Sequence, residues 1–268
     1  MQPHNHRNAP ALELRGVARS FRAGIRGCSA NVSVLTDVNL TVDSGEIVGV
    51  IAGPGTGKTT LLLCAAGLLR PDVGSVRWFG TAGLLRPPGV TLCSDRPAPF
   101  AFLTVREALE YHLMVHDLAA DDRDLRIAGT IARAALRADA NTRVAHLSVE
   151  AQRRMTIAQA MLMNPRLVLI DGLLADLEGG AARCMHEIIG SLAADGVAVV
   201  LAERDLQHVS ELATRVAWLA RGTISDRRPT ASRRRLIDLN VSHPEDREAP
   251  PLVARVGEAS PGMDANIG

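Results

Sequence analysis

The chain has 268 residues, a formal net charge of +1 and 47% hydrophobic content. That length can bury one large core or two small ones, and the near-neutral charge excludes wrapping nucleic acid, or binding an acidic membrane, by charge alone. Four Phe, two Trp and one Tyr are too few for a base-stacking platform, and the longest apolar run, 61–69, is far short of a membrane span.

Residues 1–10 are polar, rich in Asn and His, and expected to form a frayed tail without an apolar signal core. Two β-patterned stretches follow, about 11–21 and 33–42, joined by a Gly/Ser loop. Glu46 to Ile51 is rich in Val and Ile and predicts a buried strand. It runs into the glycine-rich segment 52–60, after which Thr59 to Leu69 predicts a helix. Short strands are expected around 76–79 and 90–93. A helical block occupies about 104–163 and opens on a capping box, Thr104-Val-Arg-Glu107. Leu167-Val-Leu-Ile170 before Asp171 predicts a second buried strand. A helix at 180–193, a strand at 197–201, a helix from Asp205 and a strand at 215–219 complete an alternating α/β pattern. An Arg-rich helical piece at 232–239 and a disordered tail follow. Cys28, Cys64, Cys93 and Cys184 form no CxxC pair, which predicts a reducing compartment, buried thiols at Cys64 and Cys93, and no metal site.

The segment Ala52-Gly-Pro-Gly-Thr-Gly-Lys-Thr-Thr60 fits the relaxed phosphate-loop pattern, small-x-x-x-x-Gly-Lys-Ser/Thr, between a strand and a helix. A plain strand–helix turn is the alternative. Of the chain's 30 basic residues one alone is lysine, Lys58, and it falls in this loop. A compact ammonium fits between phosphate oxygens where a planar guanidinium does not. The amides of Gly55, Gly57 and Lys58 with the helix N-terminus would form an anion nest, flanked by Gly53, Thr56 and Thr60. Lys58 would reach the terminal phosphates. The Thr59 hydroxyl would ligate Mg²⁺, and Asp171, at a strand end, would support that ion through water.

With these motifs the chain resembles the nucleotide-binding subunit of ATP-binding cassette (ABC) transporters over about residues 11–226, with a helical subdomain at about 95–163 and 227–268 as a short helix and tail. The resemblance also rests on Gly45-Glu-Ile-Val, Leu103-Thr-Val-Arg-Glu107, Leu147-Ser148 with the following Gln152–Met161 stretch, Asn164-Pro-Arg-Leu-Val-Leu-Ile-Asp171, Asp205-Leu206 and Arg221-Gly-Thr-Ile224. It implies an α/β fold: a P-loop NTPase core of ABC type with an N-terminal antiparallel β portion and an inserted helical subdomain. It further implies ATP and Mg²⁺ as ligands, a second ABC subunit, a membrane-spanning permease partner, no nucleic acid, and a place on the cytoplasmic face of the membrane. Phe21 falls where the family stacks an aromatic ring on adenine; a core phenyl at a strand end is the other reading. Ser148 falls at the signature serine that meets the partner's ATP. Phe100 and Phe102 fall where the permease docks; packing between subdomains is the alternative. A soluble ABC scaffold and a regulatory nucleotide sensor are the competing functions.

Four hydrolysis positions depart from the family pattern. Gly172 stands in place of the glutamate after the Mg²⁺ aspartate, and loss of a general base typically costs roughly 10²–10⁴ in rate. Arg204 replaces the switch histidine and cannot cycle its proton. Asp95 replaces the glutamine that contacts Mg²⁺ and water. The signature reads Leu147-Ser-Val-Glu-Ala151 rather than Leu-Ser-Gly-Gly-Gln. Glu150 either repels the partner's ATP, by roughly 3 kcal/mol at ~6 Å and an effective dielectric of ~20, or points to solvent on the first helical turn. The groups that bind Mg-ATP remain, and those that cleave it do not. Glu203, beside Arg204 at the end of the strand next to that of Asp171, is either a substitute base or a surface carboxylate paired with Arg204. His112 and His116, four apart on a helix, form half a metal site or an ordinary helix face.

Overall fold

A computed structural model describes residues 9–23, 30–83, 85, 87–95, 100–116 and 122–227. Of the expected tails, residues 1–8 and 228–268 lie outside them, as do the helix at 232–239 and Cys28. Strands β1 (Leu12–Ala23), β2 (Ala30–Val42), β4 (Val73–Trp78) and β5 (Thr81–Ala82) form an antiparallel sheet of order β2-β1-β4-β5. The second sheet has the order β10-β9-β3-β8-β7-β6. Its members are β3 (Ile47–Ala52), β6 (Val90–Ser94), β7 (Leu167–Asp171), β8 (Ala198–Glu203), β9 (Arg215–Ala220) and β10 (Thr223–Arg227). The pairs β9–β3, β3–β8, β8–β7 and β7–β6 are parallel, and β10 returns antiparallel on β9.

Strands β3 and β8 are buried along their whole length, which is why they read as near-continuous aliphatic runs. Their side chains alternate between two cores. Val48, Val50, Leu167, Leu169, Ala198 and Val200 pack toward the antiparallel sheet and helix α1 (Lys58–Ala65). Ile47, Ile51, Val168, Ile170, Val199 and Leu201 face the opposite way, with α5 (Gly179–Ala194) and α6 (Leu206–Ser210). A third core joins α2 (Val105–Val115), α3 (Arg123–Arg133) and one stripe of α4 (Val149–Leu162). Helix α4 ties the helical block to the sheet, because its Met155 and Ala158 lie in the third core and its Ile157 and Met161 in the second.

Local signals hold where they are chemical. Thr104 caps α2 by accepting the Glu107 amide, and the Glu107 carboxylate accepts the Thr104 amide at 2.8 Å. Cys64 and Cys93 are buried thiols, and burial pushes them up to about 11 and about 12. The helix after the loop ends at Ala65, four residues before the expected Leu69, because the amides of Leu68 and Leu69 both turn back onto the Leu63 carbonyl. Strand β10 follows the last expected strand and was not anticipated. Among the described residues no helix is long and apolar enough to cross a membrane.

Close packing of α6 on β3 depends on Gly49, where a Cβ would lie 2.0 Å from Cγ1 of Val209. Gly49→Ala should destabilise the fold by about 1–3 kcal/mol in denaturant titration, the usual range for overpacking. Adding Val209→Ala should recover part of that loss, since clashing neighbours are not additive.

Candidate functional site

The carboxyl ends of β3, β8 and β7 lie side by side and make the crevice expected at the edge of an open parallel sheet. β3 ends in the glycine-rich loop. Gly57 there has φ +99°, and a Cβ would meet the Val34 carbonyl oxygen at 2.9 Å, so both conformation and space demand glycine. Gly57 is the N-cap of α1 and offers no side chain to its first turn, which also carries no acidic residue. The loop is braced internally by the Thr56 hydroxyl, which donates to the Gly53 carbonyl at 2.9 Å. The uncapped positive helix end is therefore directed at the crevice.

Lys58 and Thr59, the first two residues of α1, converge on Asp171 at the end of β7. Lys58 Nζ is 3.2 Å from Oδ1, and the Thr59 hydroxyl donates to Oδ2 at 2.8 Å. The Lys58 and Asp171 side chains are only 16% and 14% exposed, so the pair is shielded but still open to a ligand. A hydroxyl and a carboxylate oxygen set together are hard oxygen donors of the kind that suits Mg²⁺. Residues of two segments far apart in the chain thus meet at one point.

The other expected positions are distributed differently. Asp95 follows β6 and faces Nε of Arg153 at 3.8 Å, with its carboxylate largely exposed. Arg204 is exposed. Phe21 is 39% exposed rather than a core phenyl, and the Arg19 guanidinium lies 5.0 Å from its ring centre. Ser148 caps α4 by accepting the Ala151 amide at 3.2 Å, and beside it Val149 is 62% exposed. Among the described residues no hydrogen bond or ion pair joins Ser148, Val149 or Glu150 to the loop of the same chain. The His112 and His116 rings lie 4.7 Å apart, tilted at 60°, and no group of three candidate metal ligands exists among the described residues. Burial, with His116 close by, holds His112 below the usual imidazole range.

Glu203 differs most from the surface carboxylate paired with Arg204. It is 2% exposed, and its Oε1 accepts the Leu174 amide at 2.7 Å. The reason is alternation on β8: residue 203 shares its face with Val199 and Leu201, turned into the second core, while Arg204 follows at the solvent edge. Burial pushes its carboxyl up to about 7, against the lowering influence of the Leu174 amide, Lys58 and Arg153.

Arg153 was missed by sequence reasoning. It is 7% exposed and donates through Nη1 to the Ala175 carbonyl, so Glu203 and Arg153 grip neighbouring residues of the turn after Asp171. A signal existed: Arg153 lies four residues before Ile157, on the stripe of α4 that the sheet core covers.

A family model described as ABC transporter matches residues 35–175. The chain is 28% identical over 230 residues to the Nod factor export ATP-binding protein I of Rhizobium johnstonii, a match spanning 82% of this chain and 70% of that protein. It is 29% identical over 229 residues to the methionine import ATP-binding protein MetN of Nocardia farcinica, covering 81% of this chain and 66% of that one. Its fold superposes on a dimeric bacterial ABC transporter cassette with a TM-score of 0.73, at 23% identity, over 82% of this chain and all of the other.

The buried Glu203 makes a signed pH prediction. Its folded pKa of about 7 lies above the ordinary 4.5, so its contribution to stability is most favourable below 4.5 and is lost as pH rises through 7. Glu203→Gln keeps an oxygen for the Leu174 amide but carries no charge. It should raise the thermal midpoint at pH 8, with each kcal/mol gained worth roughly 2–4 °C, and change it little at pH 5. A lower midpoint at pH 8 would contradict this account.

Proposed function

Because the chain belongs to the ABC transporter family, as an ATP-binding subunit, we propose that its phosphate loop holds Mg-ATP through Lys58, Thr59 and Asp171 and that binding drives a membrane-spanning permease. The observation that carries this reading is the convergence of Lys58 and Thr59 on Asp171. Nucleotide would displace the Lys58 ammonium from the carboxylate toward the terminal phosphates. The amides of Gly55, Gly57 and Lys58 would bind phosphate oxygens at the α1 N-terminus. Mg²⁺, held by Thr59 with Asp171 behind it, would supply charge neutralisation on the phosphates. Phe21, half-open beside Arg19, supports the adenine-stacking role.

The exposed N-terminus of α4 suits a second subunit's site better than its own. Ser148 would face the partner's ATP, and Val149 and Glu150 weaken that contact relative to two glycines. We infer an ATP-binding subunit working as a dimer on the cytoplasmic face of a membrane, with residues 95–163 as the helical subdomain. Its cleavage is slowed by the changes at Asp95, Gly172 and Arg204. Phe100, Phe102 and Tyr111 support a permease contact. Their rings cluster, Phe100 lying 4.5 Å from Tyr111 and 6.2 Å from Phe102, yet all three stay exposed, Phe102 at 70%. Such rings are the usual anchors of an interface.

Lys58→Ala should weaken ATP binding by the purified chain roughly 10- to 100-fold, the value of a charge-assisted hydrogen bond of about 1.5–3 kcal/mol. Titration with a fluorescent ATP analogue and Mg²⁺ measures this, and wild-type affinity in the variant would sink the reading.

A further inference from the structure

Gly172 removes the carboxylate that the family carries after its Mg²⁺ aspartate, but the sheet places another directly beside it. In the parallel β7–β8 pair, Leu167 lies opposite Ala198 and Asp171 opposite Ala202. Continuing that register by one residue sets Glu203 next to Gly172, whose amide donates to the Ala202 carbonyl at 3.0 Å. Gly172 itself has φ +70°, outside strand geometry, so what the register fixes is the adjacency of the two backbone positions. On β8's other edge Glu203 pairs with Ile51, the residue before the last of β3 and immediately ahead of the phosphate loop. Glu203 therefore ends the strand that separates the phosphate loop from the Mg²⁺ aspartate.

The space toward the phosphates is open. A Cβ on Gly172 would have one described heavy atom within 4 Å, the Lys58 Nζ at 3.8 Å. A side chain there would lie against Lys58, and glycine leaves that space clear. One Glu203 oxygen is held by the Leu174 amide, and no described residue donates to the other.

We propose that Glu203 is the water-activating carboxylate of this chain's ATP site, moved one strand sideways from the position that Gly172 leaves empty. The proposal rests on the Mg-ATP site inferred above. In the step, a water oxygen attacks the γ-phosphorus and the bond from that phosphorus to the β–γ bridging oxygen breaks. The free oxygen of Glu203 takes the water proton, and ADP and inorganic phosphate leave. The proton then passes to solvent. Lys58, Asp171 and Arg153 are the charged groups whose fields act on this carboxylate, alongside the Leu174 amide that orients it. Its pKa near 7 suits a base working near neutral pH.

The test uses the full-length chain with Mg-ATP. ATP affinity, kcat and KM are measured for the wild type, Glu203→Gln and Glu203→Asp. The proposal expects slow wild-type turnover that rises as pH increases through about 7. It expects kcat to fall roughly 100-fold or more in Glu203→Gln, with unchanged ATP affinity and no remaining pH limb. Glu203→Asp, one methylene shorter, should keep an intermediate rate. A Gln variant that retains wild-type kcat overturns the proposal, as does a wild-type chain that binds Mg-ATP without turning it over. Absence of Mg-ATP binding would instead overturn the underlying site, so the two failures are distinguishable. A thermal midpoint for Glu203→Gln at or above wild type at pH 8 separates lost chemistry from lost folding.

Discussion

The site depends on the parallel register of β3, β8 and β7. Strand β3 lies more than a hundred residues before β7 and β8 in the chain, and the pairing brings their carboxyl ends to one edge. The phosphate loop, the Asp171 carboxylate and Glu203 are ordered by that pairing. A slip of one residue in β7 would turn Asp171 away from Lys58 and bury it in the opposite core. The fully aliphatic strands resist such a slip, because each face must fill a different core at close-packed density.

Around that edge the polar groups are held by burial as much as by charge. The turn after Asp171 has its Leu174 amide satisfied by Glu203 and its Ala175 carbonyl satisfied by Arg153. Both side chains are nearly inaccessible, so each would be costly without a partner. Arg153 comes from α4, whose N-terminus carries Ser148 and Val149. The same helix thus touches the turn behind the proposed nucleotide site and presents the surface proposed to meet a second one. Movement of the helical block would be felt at the turn through this contact, since buried polar bonds break at a higher cost than exposed ones.

Much of this was legible in the residues. The loop was recognisable because glycines, one lysine and a hydroxyl at fixed spacing are dictated by the shape and charge of phosphate. The strand ending in Asp171 was recognisable because a parallel strand covered on both faces must be aliphatic throughout. The capping box at Thr104 was a local hydrogen-bonding problem with a local solution. The end of α1 was misjudged, since the apolar run 61–69 reads as helix while the chain turns at Ala66 to enter β4. Arg153 went unnoticed because its value lies in reaching a carbonyl 22 residues away.

By itself, the sequence determined the glycine-and-lysine loop between a strand and a helix, the α/β order of elements and the lack of a side chain at Gly172, because each is a property of residue type at a spacing. The surroundings of Glu203 were decided by tertiary structure alone. In the sequence, Glu203 adjoins Arg204 and reads as half of a surface ion pair. In the fold, strand alternation sends the two opposite ways, burying Glu203 beside Gly172 and leaving Arg204 at the solvent edge. Burial and neighbourhood are set by which strands pair and in what register, and no local pattern encodes them.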